Sequence, residues 1–122
     1  MTPGTPSPPG TALRDRLRAA LKTAMKARDR GAVSALRSAL SAIDNAEAVD
    51  AGQSKAGAVE DSAVGLGAAE ARRRDLTEAD IVAVVRREVD ERRTAASEYD
   101  NLGHVQRRDQ LTAEANTLAA LL

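Results

Sequence analysis

All four prolines of this chain, Pro3, Pro6, Pro8 and Pro9, fall within its first nine residues. From residue 10 to residue 122 there is no ring to remove a backbone N–H or to clash with the preceding turn. Over 12–48 and 76–122 the apolar residues return every three or four positions, the period of one helix face. Together these features predict an all-α protein preceded by a Pro/Gly/Ser/Thr-rich arm. Residues 1–11 read as a disordered arm, since they hold too little apolar surface to offset the entropy of ordering.

The first helix is predicted from Ala12 to Arg30. Leu13, Leu17, Leu21 and Met25 recur every four residues with Ala20 and Ala24 beside them. Gly31 is the expected break, because glycine takes the left-handed conformation that closes a helix. A second helix follows from Ala32 to Ala48, with Val33, Leu36, Leu40 and Ile43 on its stripe and Ala35, Ala39 and Ala42 next to them. Residues 49–75 change character, with glycines at 52, 57, 65 and 67 and no sustained period. They read as a flexible linker.

The third helix has the clearest start. Thr77 precedes Asp80 by three residues, a relative of the capping box, and Glu78 adds negative charge to the first turn. Ile81, Val84, Val85, Val89, Ala96, Tyr99 and Leu102 mark its face as far as Gly103. Arg86–Asp90, Arg87–Glu91 and Glu88–Arg92 are i,i+4 pairs on the outside. The fourth helix is predicted from Val105 to Leu122 and carries Val105, Leu111, Ala115, Leu118 and Leu122.

None of the four can bury its stripe alone, so a four-helix bundle is expected, made of a helical pair at 12–48 and another at 76–122. Its core would be small and rich in alanine, which supplies 26 positions. Such a core predicts either marginal stability or support from a second chain.

Composition excludes several function classes. With no cysteine, the chain has no disulfide framework, no thiol nucleophile and no Cys-ligated metal. A single histidine, His104, cannot build a two-His metal site. Tyr99 is the single aromatic, so the aromatic platforms of the usual single-strand readers are missing. Nothing resembles a secretory signal or a membrane span, and a cytoplasmic protein with no membrane partner is expected.

The stretch Leu21–Glu47 reads LKTAMKARDRGAVSALRSALSAIDNAE. Ala24-Met25-Lys26-Ala27-Arg28-Asp29, Leu36-Arg37 and Asn45-Ala46-Glu47 resemble, in order and spacing, the opening of the GatB/YqeY family. Leu76-Thr77, the charged run Arg86–Tyr99 and Gly103 match its later elements. The resemblance covers about Leu13–Glu47 and Leu76–Leu122. It implies a YqeY-like helical domain of four helices, without the three-helix C-terminal domain that resembles the tail of GatB. It also implies association with tRNA or with the glutamine-dependent aminoacyl-tRNA amidotransferase. The segment between helices two and three is longer than the family's usual hinge. The family's label, carbon–nitrogen ligase with glutamine as amide donor, finds no Ser-Lys arrangement and no nucleotide loop here. The chain is therefore read as a non-catalytic module, with no catalytic residue, no cofactor and no metal site.

The candidate site is a basic ridge. Arg14, Arg18, Lys22, Lys26 and Arg30 repeat every four residues on the first helix, and Arg37 follows on the second. Each step of four advances the helix by about 40°, so the ridge winds slowly beside the apolar stripe. Residues 1–48 carry 8 basic and 4 acidic side chains, although the whole chain balances 18 against 18. Two readings stand: a track for the phosphates of tRNA or rRNA, or a solvated face whose long stems cover the core edge.

Other features carry blander readings. Arg72-Arg73-Arg74 is a basic spot at the end of the linker. His104 reads as a surface turn residue, and Tyr99 as a core anchor with its hydroxyl at the edge. Glu88 and Glu91 read as ion-paired surface. Gly65-Leu66-Gly67 lacks the third glycine and the preceding strand of a dinucleotide fingerprint. The alternative function is self-association through the last helix and its leucines Leu118, Leu121 and Leu122.

Overall fold

The computed structural model describes residues 12–57 and 76–122, with side chains over 12–48 and 76–122. Four helices make up this part: α1 (Ala12–Ala27), α2 (Arg30–Gly57), α3 (Glu78–Asn101) and α4 (Val105–Ala119). The expected all-α four-helix architecture is what the chain adopts. The arm at 1–11, Arg72–Arg74 and the glycines at 65 and 67 lie outside the described residues.

Three hydrogen bonds set the register. The Leu13 N–H donates to Glu78 Oε2 at 3.1 Å, Arg14 Nη2 donates to Glu47 Oε1 at 3.0 Å, and Arg16 Nε donates to the Leu121 carbonyl at 3.1 Å. The starts of α1 and α3, residue 47 of α2 and the chain beyond α4 therefore share one end of the bundle. Both tight turns, α1–α2 and α3–α4, lie at the other end. α2 packs against all three other helices.

The two turns are built alike. After α1, the N–H of Asp29 reaches the Ala24 carbonyl at 3.0 Å and that of Arg28 reaches Met25 at 3.2 Å. After α3, the N–H of His104 reaches the Tyr99 carbonyl at 2.9 Å and that of Gly103 reaches Asp100 at 3.0 Å. Each is a Schellman motif, which satisfies the last carbonyls of the outgoing helix. Its left-handed residue is Gly103 in one turn (φ 78°) and Arg28 in the other (φ 57°). Asp29 then caps α2: its Oδ1 accepts the Ala32 N–H at 3.1 Å.

This corrects the expected break at Gly31, which sits in the first turn of α2. A short polar side chain at the N-cap fixed the boundary, and the αL site fell three residues earlier. The far end of α2 is a second correction. The helix continues nine residues past Ala48, to Gly57, into the segment read as linker. Ala51, Gln53, Lys55 and Ala56 are good helix formers, and Gly52 costs only about 1 kcal/mol. Missing apolar periodicity there did not mean missing helix.

α3 begins as its sequence predicts. The Asp80 N–H donates to Thr77 Oγ1 at 3.1 Å and the Thr77 N–H donates to Asp80 Oδ2 at 3.0 Å, a complete capping box.

The core is formed by Leu13, Leu17 and Ala24 from α1, Ala35, Leu36, Ala39 and Ile43 from α2, and Leu76 ahead of α3. Ile81, Val85 and Val89 of α3 and Ala115 and Leu118 of α4 complete it. Alanines at the α2 contacts let backbones approach closely, so a core without Phe or Trp still closes. Leu21, Val33, Leu40 and Val84 pack at its edge.

α3 and α4 extend past the rest. From the contact of Ser38 Oγ with Glu88 Oε1 at 2.9 Å, α2 runs back eight residues to Arg30, while α3 runs on thirteen to Asn101. At about 1.5 Å per residue the α3–α4 hairpin overhangs the α1–α2 turn by roughly 8 Å. Ala96 and Leu111 are its buried residues, and Tyr99, Leu102 and Val105 are exposed. Tyr99 is thus not the core anchor expected; its ring meets that of His104 edge-on, centroids 5.9 Å apart. The overhang carries the side chain beyond α1 and α2, which leaves it 36% exposed. His104 is the exposed turn residue the sequence suggests.

Candidate nucleic-acid interface

The six cations singled out in the sequence do not form one ridge. Arg14 is drawn inward: its side chain is 20% exposed and its partner Glu47 only 10%. Glu47 lies 33 residues away, on the antiparallel α2, so the pairing has no local sequence signal. Arg14 therefore fastens α1 to α2 and leaves the candidate interface, a correction to the ridge. Arg18 stays out, with 62% of its side chain exposed and the Asp15 carboxylate 4.0 Å away. Lys22, Lys26, Arg30 and Arg37 are exposed.

The structure brings Arg30 and Arg37 together with a residue the sequence reading passed over. Where α1 ends and α2 begins, a groove of about 670 Å³ is lined by Met25, Arg28, Arg30, Val33, Ser34 and Arg37. Arg30, Val33, Ser34 and Arg37 are spaced 3, 4 and 7 residues apart from the first, so they share one face of α2. Met25 and Arg28 close the groove from the end of α1. Met25 sat on the predicted apolar stripe, yet it is 51% exposed. With Val33 it supplies the apolar part of the groove lining, beside three arginines.

Arg28 was missed for a physical reason. A helix continued to Arg30 would have set it four residues after Ala24 and seven after Leu21, on the apolar stripe; the helix instead ends at Ala27, and Arg28 takes the left-handed position of the turn. Asp29 is the single carboxylate between Asp15 and Asp44, and its Oδ1 is held by the Ala32 N–H. None of the groove-lining residues is acidic among the described residues. The arrangement can hold an anion and can place an apolar body beside it.

Two arginines of α3 and α4 are instead engaged by carboxylates. Arg92 Nη1 donates to Glu88 Oε1 at 2.9 Å, and Arg92 Nε donates to Glu114 Oε1 at 3.1 Å. Ser38 Oγ also reaches Glu88, so this network ties α2, α3 and α4 together. Glu88 is therefore an inward strut, not the surface residue its spacing suggested; Glu91 is exposed. At the overhang Arg108 donates to Asp100 at 2.6 Å and Asp109 at 3.0 Å. These hydrogen bonds, Asp100's first, raise the guanidinium pKa above its usual value.

No cluster of three or more metal-ligating side chains occurs among the described residues. No helix among them is long and apolar enough to cross a membrane. In comparisons with protein-family models, curated proteins and solved structures, nothing matches this chain.

Proposed function

We propose that this chain is a non-catalytic helical module that contacts RNA through the α1–α2 end of its bundle. The observation that carries the reading is the grouping of Arg28, Arg30 and Arg37 around one groove, with Lys22 and Lys26 exposed on the adjoining α1. Such a patch on an electrically neutral chain favours a polyanion by local charge, not by net charge. The resemblance of Leu21–Glu47 to the GatB/YqeY family supports tRNA as the RNA. It also supports an auxiliary place beside tRNA-dependent amidation in the cytoplasm.

Titration of labelled tRNA at several salt concentrations tests this. The logarithm of affinity should fall linearly with the logarithm of salt. Replacing Arg18, Lys22 and Lys26 by glutamine should flatten that slope by about 0.7–0.9 for each lost contact. Failure to bind at low salt would remove RNA from the reading.

Self-association is the second reading, and it rests on another surface than the one expected. Leu118 is fully buried and Leu121 packs against the core, which leaves Leu122, 43% exposed, from the C-terminal leucines. The overhanging tip instead presents Tyr99, Leu102 and Val105. Sedimentation over a dilution series, repeated with Leu102→Ser, separates a tip-mediated dimer from a monomer.

A further inference from the structure

We propose that Arg28, Arg30 and Arg37, with the Ser34 hydroxyl, form a discrete site for one phosphate group, distinct from a diffuse basic face. The inference rests on the RNA reading only for where that phosphate comes from. Three observations carry it.

The first is convergence. The lining residues come from two elements, the end of α1 with its turn and the first turns of α2, around an open groove of about 670 Å³. The second is charge without internal compensation. No ion pair engages Arg28, Arg30 or Arg37 among the described residues, while Arg14, Arg92 and Arg108 are all consumed by carboxylates. The third is backbone strain at Arg28. It occupies the left-handed region at φ 57°, where the equivalent turn of the α3–α4 hairpin uses Gly103. Glycine would make the same turn at lower conformational cost. What arginine adds is a guanidinium at the groove, and strain of this kind gathers where a side chain is needed for binding.

Guanidinium forks match phosphate oxygens bidentately, and a serine hydroxyl supplies a further donor. Met25 and Val33 would lie beside the group that carries the phosphate. Both a nucleic-acid backbone and a small phosphorylated molecule offer this chemistry.

The test uses the full chain and three probes: inorganic phosphate, pyrophosphate and a short single-stranded RNA. Amide resonances would be followed by NMR and affinity by titration. The expected result is saturable perturbation confined to residues 25–37, with phosphate competing against the RNA. Arg28→Gly should then act in opposite directions. It should raise the melting temperature by about 4–8 °C and weaken phosphate binding about tenfold. Arg37→Gln should weaken binding similarly without the thermal gain, and Arg93→Gln on α3 should do neither.

Perturbation spread evenly along Lys22 and Lys26 without saturation would overturn the proposal. So would an Arg28→Gly protein that keeps its phosphate affinity. If RNA still bound in that case, the broader RNA reading would stand and only the discrete site would fall. Saturable phosphate binding with no RNA binding would support the site, and would make a small phosphorylated molecule its ligand.

Discussion

Replacing Gly31 by alanine should stabilise this protein, although a glycine in a turn between two helices ordinarily resists substitution. Gly31 is the second residue of α2, and a Cβ built on it meets only Asp29 Oδ1, at 3.8 Å, an ordinary van der Waals contact. The Asp29 cap on Ala32 is therefore undisturbed. Alanine is preferred over glycine inside a helix by about 0.8–1.0 kcal/mol. In a first turn, where fewer intrahelical bonds exist, roughly 0.5–1 kcal/mol should remain. Gly103→Ala is the matched contrast. Nothing lies within 4 Å of its Cβ position, but φ is +78°, so space does not help. A left-handed non-glycine residue there should cost about 1–2 kcal/mol. Urea unfolding followed by circular dichroism reads both. With an m-value of about 1.5 kcal/mol per M, Gly31→Ala should raise the midpoint by roughly 0.3–0.7 M and Gly103→Ala should lower it by roughly 0.7–1.3 M. Equal m-values would show that the comparison is of stability alone. If Gly31→Ala lost 1 kcal/mol or more, the left-handed residue would be Gly31 and not Arg28. The groove geometry built on Arg28 would then fail with it.

Three further outcomes follow from the packing. Arg92→Ala leaves Glu88 and Glu114 without the cation between them, and Arg92 is only 13% exposed; thermal or urea unfolding should show a loss of about 3–5 kcal/mol. Thr77→Ala removes the accepting half of the α3 capping box and should cost about 1 kcal/mol, with amide exchange at Asp80 accelerating before the rest of the helix. Leu17→Ala empties a fully buried position and should cost about 2–5 kcal/mol in chemical unfolding. A loss under 1 kcal/mol would mean that the core collapses around the gap, against the close packing inferred for it.

Local chemistry fixed most of the helical plan. The missing prolines, the apolar periods and the Thr77–Asp80 box are short-range signals, each acting within one or two turns. They sufficed for four helices, for the start of α3 and for Leu13, Leu17, Leu36, Ile43, Ile81, Val85 and Leu118 as core residues. The same signals misplaced the α1–α2 boundary. Two adjacent residues, Arg28 and Asp29, act together there as a left-handed end cap and a following N-cap, and glycine preference alone points elsewhere. They also cut α2 short, because a missing apolar period does not end a helix whose residues have good helix propensity.

The candidate site depended more on the tertiary arrangement. Period-four spacing placed Arg14, Arg18, Lys22, Lys26 and Arg30 on one ridge of a helix, and in that sense the positive end of the molecule was visible in the sequence alone. Which cations remain available was decided between helices. Glu47 approaches Arg14 because α2 returns antiparallel to α1, and Arg28 faces Arg30 and Arg37 because the chain reverses at a left-handed residue. A charge pattern along one helix states where side chains begin. Whether they end in a buried ion pair or in a groove depends on which element packs beside them, and that follows from burying four apolar faces at once.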